Sequence, residues 1–130
     1  MALTLIALAG ALGTLLRYSL AVGLANLFGA GFPYGTLCAN LVGSFMLGVV
    51  AELFSGGTIF GTEARLVLGV GLLGGFTTYS SFNLELIRLF EQAAFGRAFG
   101  YLFGTLLGCL VAGALGLALA RLLGPAAPLP

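Results

Sequence analysis

The chain has 130 residues, of which 60% are hydrophobic and 7% charged, with a formal net charge of +1. A soluble domain carries about 25% charged residues, so these few charges cannot solvate a globular surface, and the chain reads as an all-α membrane protein. All cations are Arg and all anions are Glu, and no basic cluster is present, which excludes nucleic acid as a partner.

A helical span needs roughly 20 apolar residues, so the length allows about four spans and no sizeable soluble domain. Residues 1–124 therefore read as a single four-helix transmembrane domain, with 125–130 a Pro-containing tail expected to fray. The first span covers about residues 2–27 and contains Arg17. Its Met-Ala-Leu-Thr-Leu-Ile start lacks a positive region, so no cleaved signal peptide is expected. An Arg inside an apolar stretch marks a functional site by default, or snorkels to the interface. In either case it favours anions.

The second span begins at Tyr34, after Pro33, and runs to about Leu53, near a Ser55-Gly56-Gly57-Thr58 loop. Asn40 lies deep within it. A buried amide needs partners. It can be interhelical glue, or it can offer its NH₂ to an anion; the sequence leaves both open.

The third span starts near Glu63 and reaches about Ala93. As one straight helix it would be roughly 45 Å long, against a hydrocarbon core of about 30 Å. Within it stands Gly74-Gly-Phe-Thr-Thr-Tyr-Ser-Ser-Phe-Asn-Leu-Glu85, paired glycines followed by four Ser/Thr residues. Glycine weakens helices, and Ser and Thr offer the backbone competing hydrogen bonds. A break at Gly74-Gly75 is expected, the alternative being a tilted helix with a tight glycine contact. Non-helical backbone survives at bilayer depth only when buried in protein or lining a wet cavity, and discontinuous helices hold ion sites in many transporters.

The fourth span runs from about Arg97 to Leu123, with Gly96, Gly100, Gly104, Gly108, Ala112, Gly116 and Ala120 at every fourth position. Small residues so spaced let helices pack closely. Tyr101, Thr105 and Cys109 form a second row, spaced to share one face. The row reads as a pore lining, or as local back-bonding with Tyr101 at an interface belt. Cys38 and Cys109 read otherwise as small buried hydrophobes, and their spacing suggests neither a disulfide nor a metal site. Glu85 alone among the acids comes closely after the polar break. A path of hydroxyls, an amide and aromatic rings with little negative charge suits an anion. Arg65 and Arg121 balance Arg88 and Arg97 on the other face, so the positive-inside rule has nothing to act on. Insertion both ways, giving an antiparallel homodimer, is expected.

Gly74-Gly-Phe-Thr-Thr-Tyr-Ser-Ser-Phe82, Gly10-Ala-Leu-Gly-Thr-Leu-Leu-Arg-Tyr18 and Gly35-Thr-Leu-Cys-Ala-Asn40 resemble the Fluc/CrcB fluoride channels, along nearly the whole chain. The resemblance implies four transmembrane helices per chain, the third broken mid-membrane, in a dual-topology antiparallel homodimer with two pores in the cytoplasmic membrane. It implies passive fluoride export and no enzymatic chemistry. It implies a structural Na⁺ at the dimer centre, held by backbone carbonyls of Gly74 and Thr77. The family's pore phenylalanine pair matches Tyr79 and Phe82, with Ser80 and Ser81 between and beside them. The pore amide matches Asn40, the vestibule Arg matches Arg17, and an acid near the pore matches Glu85. A fourth-helix polar track matches Tyr101, Thr105 and, more loosely, Cys109, where Ser is more usual. Tyr79 departs from the usual Phe but keeps a positive ring edge. A small multidrug transporter would place a Glu in its first helix, and residues 2–27 hold no acid. A glycine-packed scaffold without transport would not explain the polar break.

Overall fold

A computed structural model describes residues 1–54 and 59–123, and every element in them is helical. Helix α1 spans Ala2–Phe28, α2 Tyr34–Leu53 and α3 Ile59–Arg65. A π-helical stretch, Leu66–Leu73, leads into the single turn α4, Gly74–Phe76, followed by α5, Tyr79–Glu91, and α6, Phe95–Leu123. Three of these, α1, α2 and α6, are each long and apolar enough to cross a membrane. The composite from α3 to α5 supplies a fourth passage, so the chain is a multi-pass membrane protein of four helical rods. The expected loop at Ser55–Thr58 and the tail at 125–130 lie outside the described residues.

The third rod is broken, but not at the glycine pair. Gly74 is helical, with φ −63° and ψ −37°. The extended residues are Thr77, at φ −87° and ψ 157°, and Thr78, at φ −156° and ψ 118°. The glycines serve a different purpose. A Cβ on Gly75 would strike the Gly10 carbonyl, and one on Gly71 would lie 2.9 Å from Ile6 O. In return, a Cβ on Gly13 would sit 2.9 Å from Phe76 N. Backbone thus meets backbone between α1 and the π and α4 segments, the close approach that small residues permit in membranes. The two threonines break the helix because a β-branched hydroxyl residue favours extended backbone and can cap the next helix, here α5.

Helices α2 and α6 form the other half of the chain and run parallel. At one end Arg97 Nη1 donates to Gly31 O at 2.7 Å, and at the other Arg121 Nε lies 3.2 Å from Glu52 Oε1. Gly48 faces the α6 backbone, and Gly116 faces the backbone at Phe45. The α6 small-residue stripe therefore divides. Gly108 and Gly116 pack on α2, while a Cβ on Gly96, Gly100 or Gly104 would meet open space. Phe82, Leu89, Ala98 and Tyr101 form the buried cluster between α5 and α6.

Candidate functional site

The break is held by its neighbours' side chains. Asn40, buried on α2, uses both ends of its amide on one residue: Nδ2 donates to Thr78 O at 3.0 Å, and Oδ1 accepts from Thr78 N at 2.8 Å. Thr78 is also the N-cap of α5, its Oγ1 accepting from Ser81 N at 3.2 Å and donating to Ser81 Oγ at 3.1 Å. Ser80 Oγ lies 3.2 Å from the same hydroxyl. Arg17, half-buried on α1, donates from Nε to Gly75 O at 3.3 Å.

These bonds redirect the backbone. In an uninterrupted α-helix, Thr78 N–H would donate to Gly74 O and Ser81 N–H to Thr77 O. Here both donors go to side chains, to Asn40 and to Thr78. The carbonyls of Gly74 and Thr77 thereby lose their helical donors. These two oxygens are hard, neutral ligands of the kind that suits an alkali or alkaline-earth cation. Among the described residues, no cluster of His, Cys, Asp or Glu could hold a metal.

A second polar centre lies one turn further along α5. The Glu85 carboxylate accepts from Thr36 Oγ1 at 2.8 Å and from Tyr101 OH at 2.7 Å. Tyr101 is fully buried. Its ring packs on Phe82, centroid to centroid 5.1 Å, and edge-on against Phe32 at 5.5 Å. Tyr79 lies 5.8 Å from Phe82 on the other side, with 74% of its surface exposed.

Two cavities flank this aromatic wall. The larger, about 450 Å³, opens beside the α1–α2 connection and is lined by Tyr18, Tyr34, Thr36, Glu85, Arg88 and Gln92 among others. The smaller, about 280 Å³, brings together Asn40, Thr77, Tyr79, Phe82, Thr105 and Cys109. So six of the residues expected to form a site line one space. Tyr101 stands between the cavities, its hydroxyl committed to Glu85. Thr105 is 5% exposed and its Oγ1 has no hydrogen-bond partner among the described residues. Ser81 is tied into the cap of α5, and Ser80 and Gly74 lie on the exposed side of the break. Arg17 faces the break and not either cavity.

The family model described as CrcB-like protein, Camphor Resistance (CrcB), matches residues 4–117. The chain belongs to this family. It is 48% identical over 118 residues to a protein of Sorangium cellulosum named fluoride-specific ion channel FluC, covering 91% of this chain and 93% of that one. A protein of the same name from Agrobacterium fabrum is 43% identical over 121 residues, 93% of this chain and 97% of the relative. One from Thermus thermophilus is 49% identical over 94 residues, 72% of this chain and 73% of the relative.

Sequence reasoning missed Thr36 in this CrcB-like chain. The signal was available: Thr36, Asn40, Gly43, Ser44 and Leu47 share one face of α2, and that face carries the Glu85 bond and one wall of the smaller cavity. Asn40 gives one N–H and one lone pair to Thr78 across the break, and it also lines the smaller cavity.

Proposed function

We propose that the protein is a fluoride-selective channel that lets fluoride leave the cell passively across the cytoplasmic membrane. The observation that carries this reading is the buried, unpartnered Thr105 hydroxyl in a cavity also lined by the Asn40 amide and the Phe82 ring. A small, strongly hydrated anion must exchange water for donors, and must be held firmly enough to come in and loosely enough to leave. A hydroxyl, an amide N–H and a ring edge do this without a fixed cation. Among the described residues, no carboxylate lines the smaller cavity. Glu85, one turn along α5 from the break, has both oxygens occupied by hydroxyl donors. The names of the relatives point to fluoride as the anion. The relatives' names also describe an ion channel, so the activity in this reading is conduction. Purified protein in liposomes should dissipate a fluoride gradient, read by a fluoride electrode, once a potassium ionophore balances the charge. Chloride flux of similar size, or no fluoride flux from folded protein, would overturn the reading.

The working unit in this reading is an antiparallel homodimer with two pores and a structural Na⁺ on its axis. The support is the polarity of a surface that would otherwise meet lipid. Gly74, Tyr79 and Ser80 are exposed on one chain, beside carbonyls that have lost their helical donors. Such groups are not left against hydrocarbon. A second copy turned over by a two-fold axis would cover them, and Gly74 and Thr77 from both chains would supply four carbonyl oxygens to one cation. The open Gly96, Gly100 and Gly104 edge of α6 is a further surface for close helix contact. A single cysteine placed in one loop, in protein lacking Cys38 and Cys109, should be labelled from both sides of the membrane in cells. Labelling from one side alone rules out dual topology.

A further inference from the structure

Cys109 is a partly buried free thiol on α6, one helical turn beyond Thr105. Residues so spaced lie about 5–6 Å apart at Cβ on the same face, and both line the smaller cavity. The Thr105 hydroxyl is the independent observation. It is 5% exposed and has no hydrogen-bond partner within the described chain. A buried hydroxyl is normally satisfied, so this one is built to meet a polar guest that arrives through the cavity. A space that admits a polar guest to Thr105 admits a small neutral molecule to the thiol beside it.

We infer that Cys109 is a covalent modification site, at which small neutral thiol-reactive electrophiles block the conduction path. This rests on the channel reading given above. The cavity, at about 280 Å³, limits the electrophile to a small one. In a bulk-exposed thiol the adduct would project into solvent. Here it would stand in the space shared by Thr105, Asn40 and Phe82. It would also replace a weak S–H donor with a thioalkyl group that has none.

The test uses alkyl methanethiosulfonates on the dimeric protein in liposomes, in a Cys38→Ala background so that Cys109 is the only thiol. The Cys109 thiolate attacks the sulfenyl sulfur of the reagent. The new S–S bond forms as the S–SO₂ bond breaks, methanesulfinate leaves with the bonding pair, and the thiol proton passes to solvent. Intact mass counts the adduct, and fluoride flux is compared with the same sample before treatment. The benzyl reagent should cut flux at least tenfold and the methyl reagent less. Dithiothreitol should restore both, and Cys109→Ser should show no change on treatment. Cys109 that stays unmodified when folded but is labelled in SDS would overturn the site. Full modification with unchanged flux would overturn the block. If untreated protein carries no fluoride at all, the channel reading fails, and the mass readout still decides whether the cavity admits electrophiles to Cys109.

Discussion

Asn40→Asp should abolish fluoride flux and weaken the fold together. The two native bonds from this side chain go to the N–H and the C=O of a single residue, Thr78. An ionised carboxylate can accept from the N–H, but it turns a second oxygen toward Thr78 O, now 3.0 Å from Nδ2. The carbonyl loses its donor and faces a negative charge. Leaving a buried acceptor unsatisfied costs about 1–3 kcal/mol, and more beside a charge. The carboxylate also sits in the cavity that would conduct an anion, and repels it. Flux in liposomes and thermal unfolding in detergent measure the two effects. Asn40→Asp protein that conducts like the parent with an unchanged melting temperature would show that the amide does neither job.

Much of this arrangement was legible in the sequence, because four apolar stretches of spanning length and one polar interruption leave few alternatives. The ends of α2 are set by Pro33 and by the apolar run to Leu53. The break was legible as a fact but displaced in position, since Gly74-Gly75 looks like the weak point when only helix propensity is considered. Tertiary packing decided otherwise: the glycines are where α1 comes closest, and a glycine at a tight helix contact stays helical. The backbone opens at Thr77 and Thr78 through the local Thr78 cap of α5 together with the donor and acceptor that Asn40 brings from α2. The Asn40 part is a long-range effect that no local pattern encodes. The π-helical stretch Leu66–Leu73 left no trace in sequence either, because an apolar Leu-Val-Gly run reads the same in α and π register. The Glu85 centre was half visible. Glu85 and Tyr101 stand out as polar groups in apolar surroundings, yet that they share a proton-donating bond depends on α5 and α6 meeting at the buried Phe82.

Phe82→Ile should reduce fluoride flux by at least about tenfold, equivalent to about 1.4 kcal/mol on the barrier, while leaving the protein folded. Phe82 is 3% exposed and sits between Tyr79 and Tyr101, with centroids at 5.8 and 5.1 Å. Isoleucine keeps much of the apolar bulk, so the wall between the cavities stays closed to bulk water. It lacks the positive ring edge that an anion can approach. Tyr79 tests the same idea from the exposed side. Its ring is in contact range of Phe82 and lines the smaller cavity. None of the hydrogen bonds that hold the break involves its hydroxyl. If the ring edge is what matters, Tyr79→Phe keeps most of the flux and Tyr79→Ala loses it. If instead the hydroxyl is a link in the donor path, Tyr79→Phe fails as badly as Tyr79→Ala. Fluoride efflux from liposomes, with the folded state of each variant checked by size-exclusion chromatography, separates the two. Equal flux from Phe82→Ile and the parent would remove the ring edge from the mechanism, and leave the Asn40 amide and the Thr105 hydroxyl as the groups that replace water around the ion.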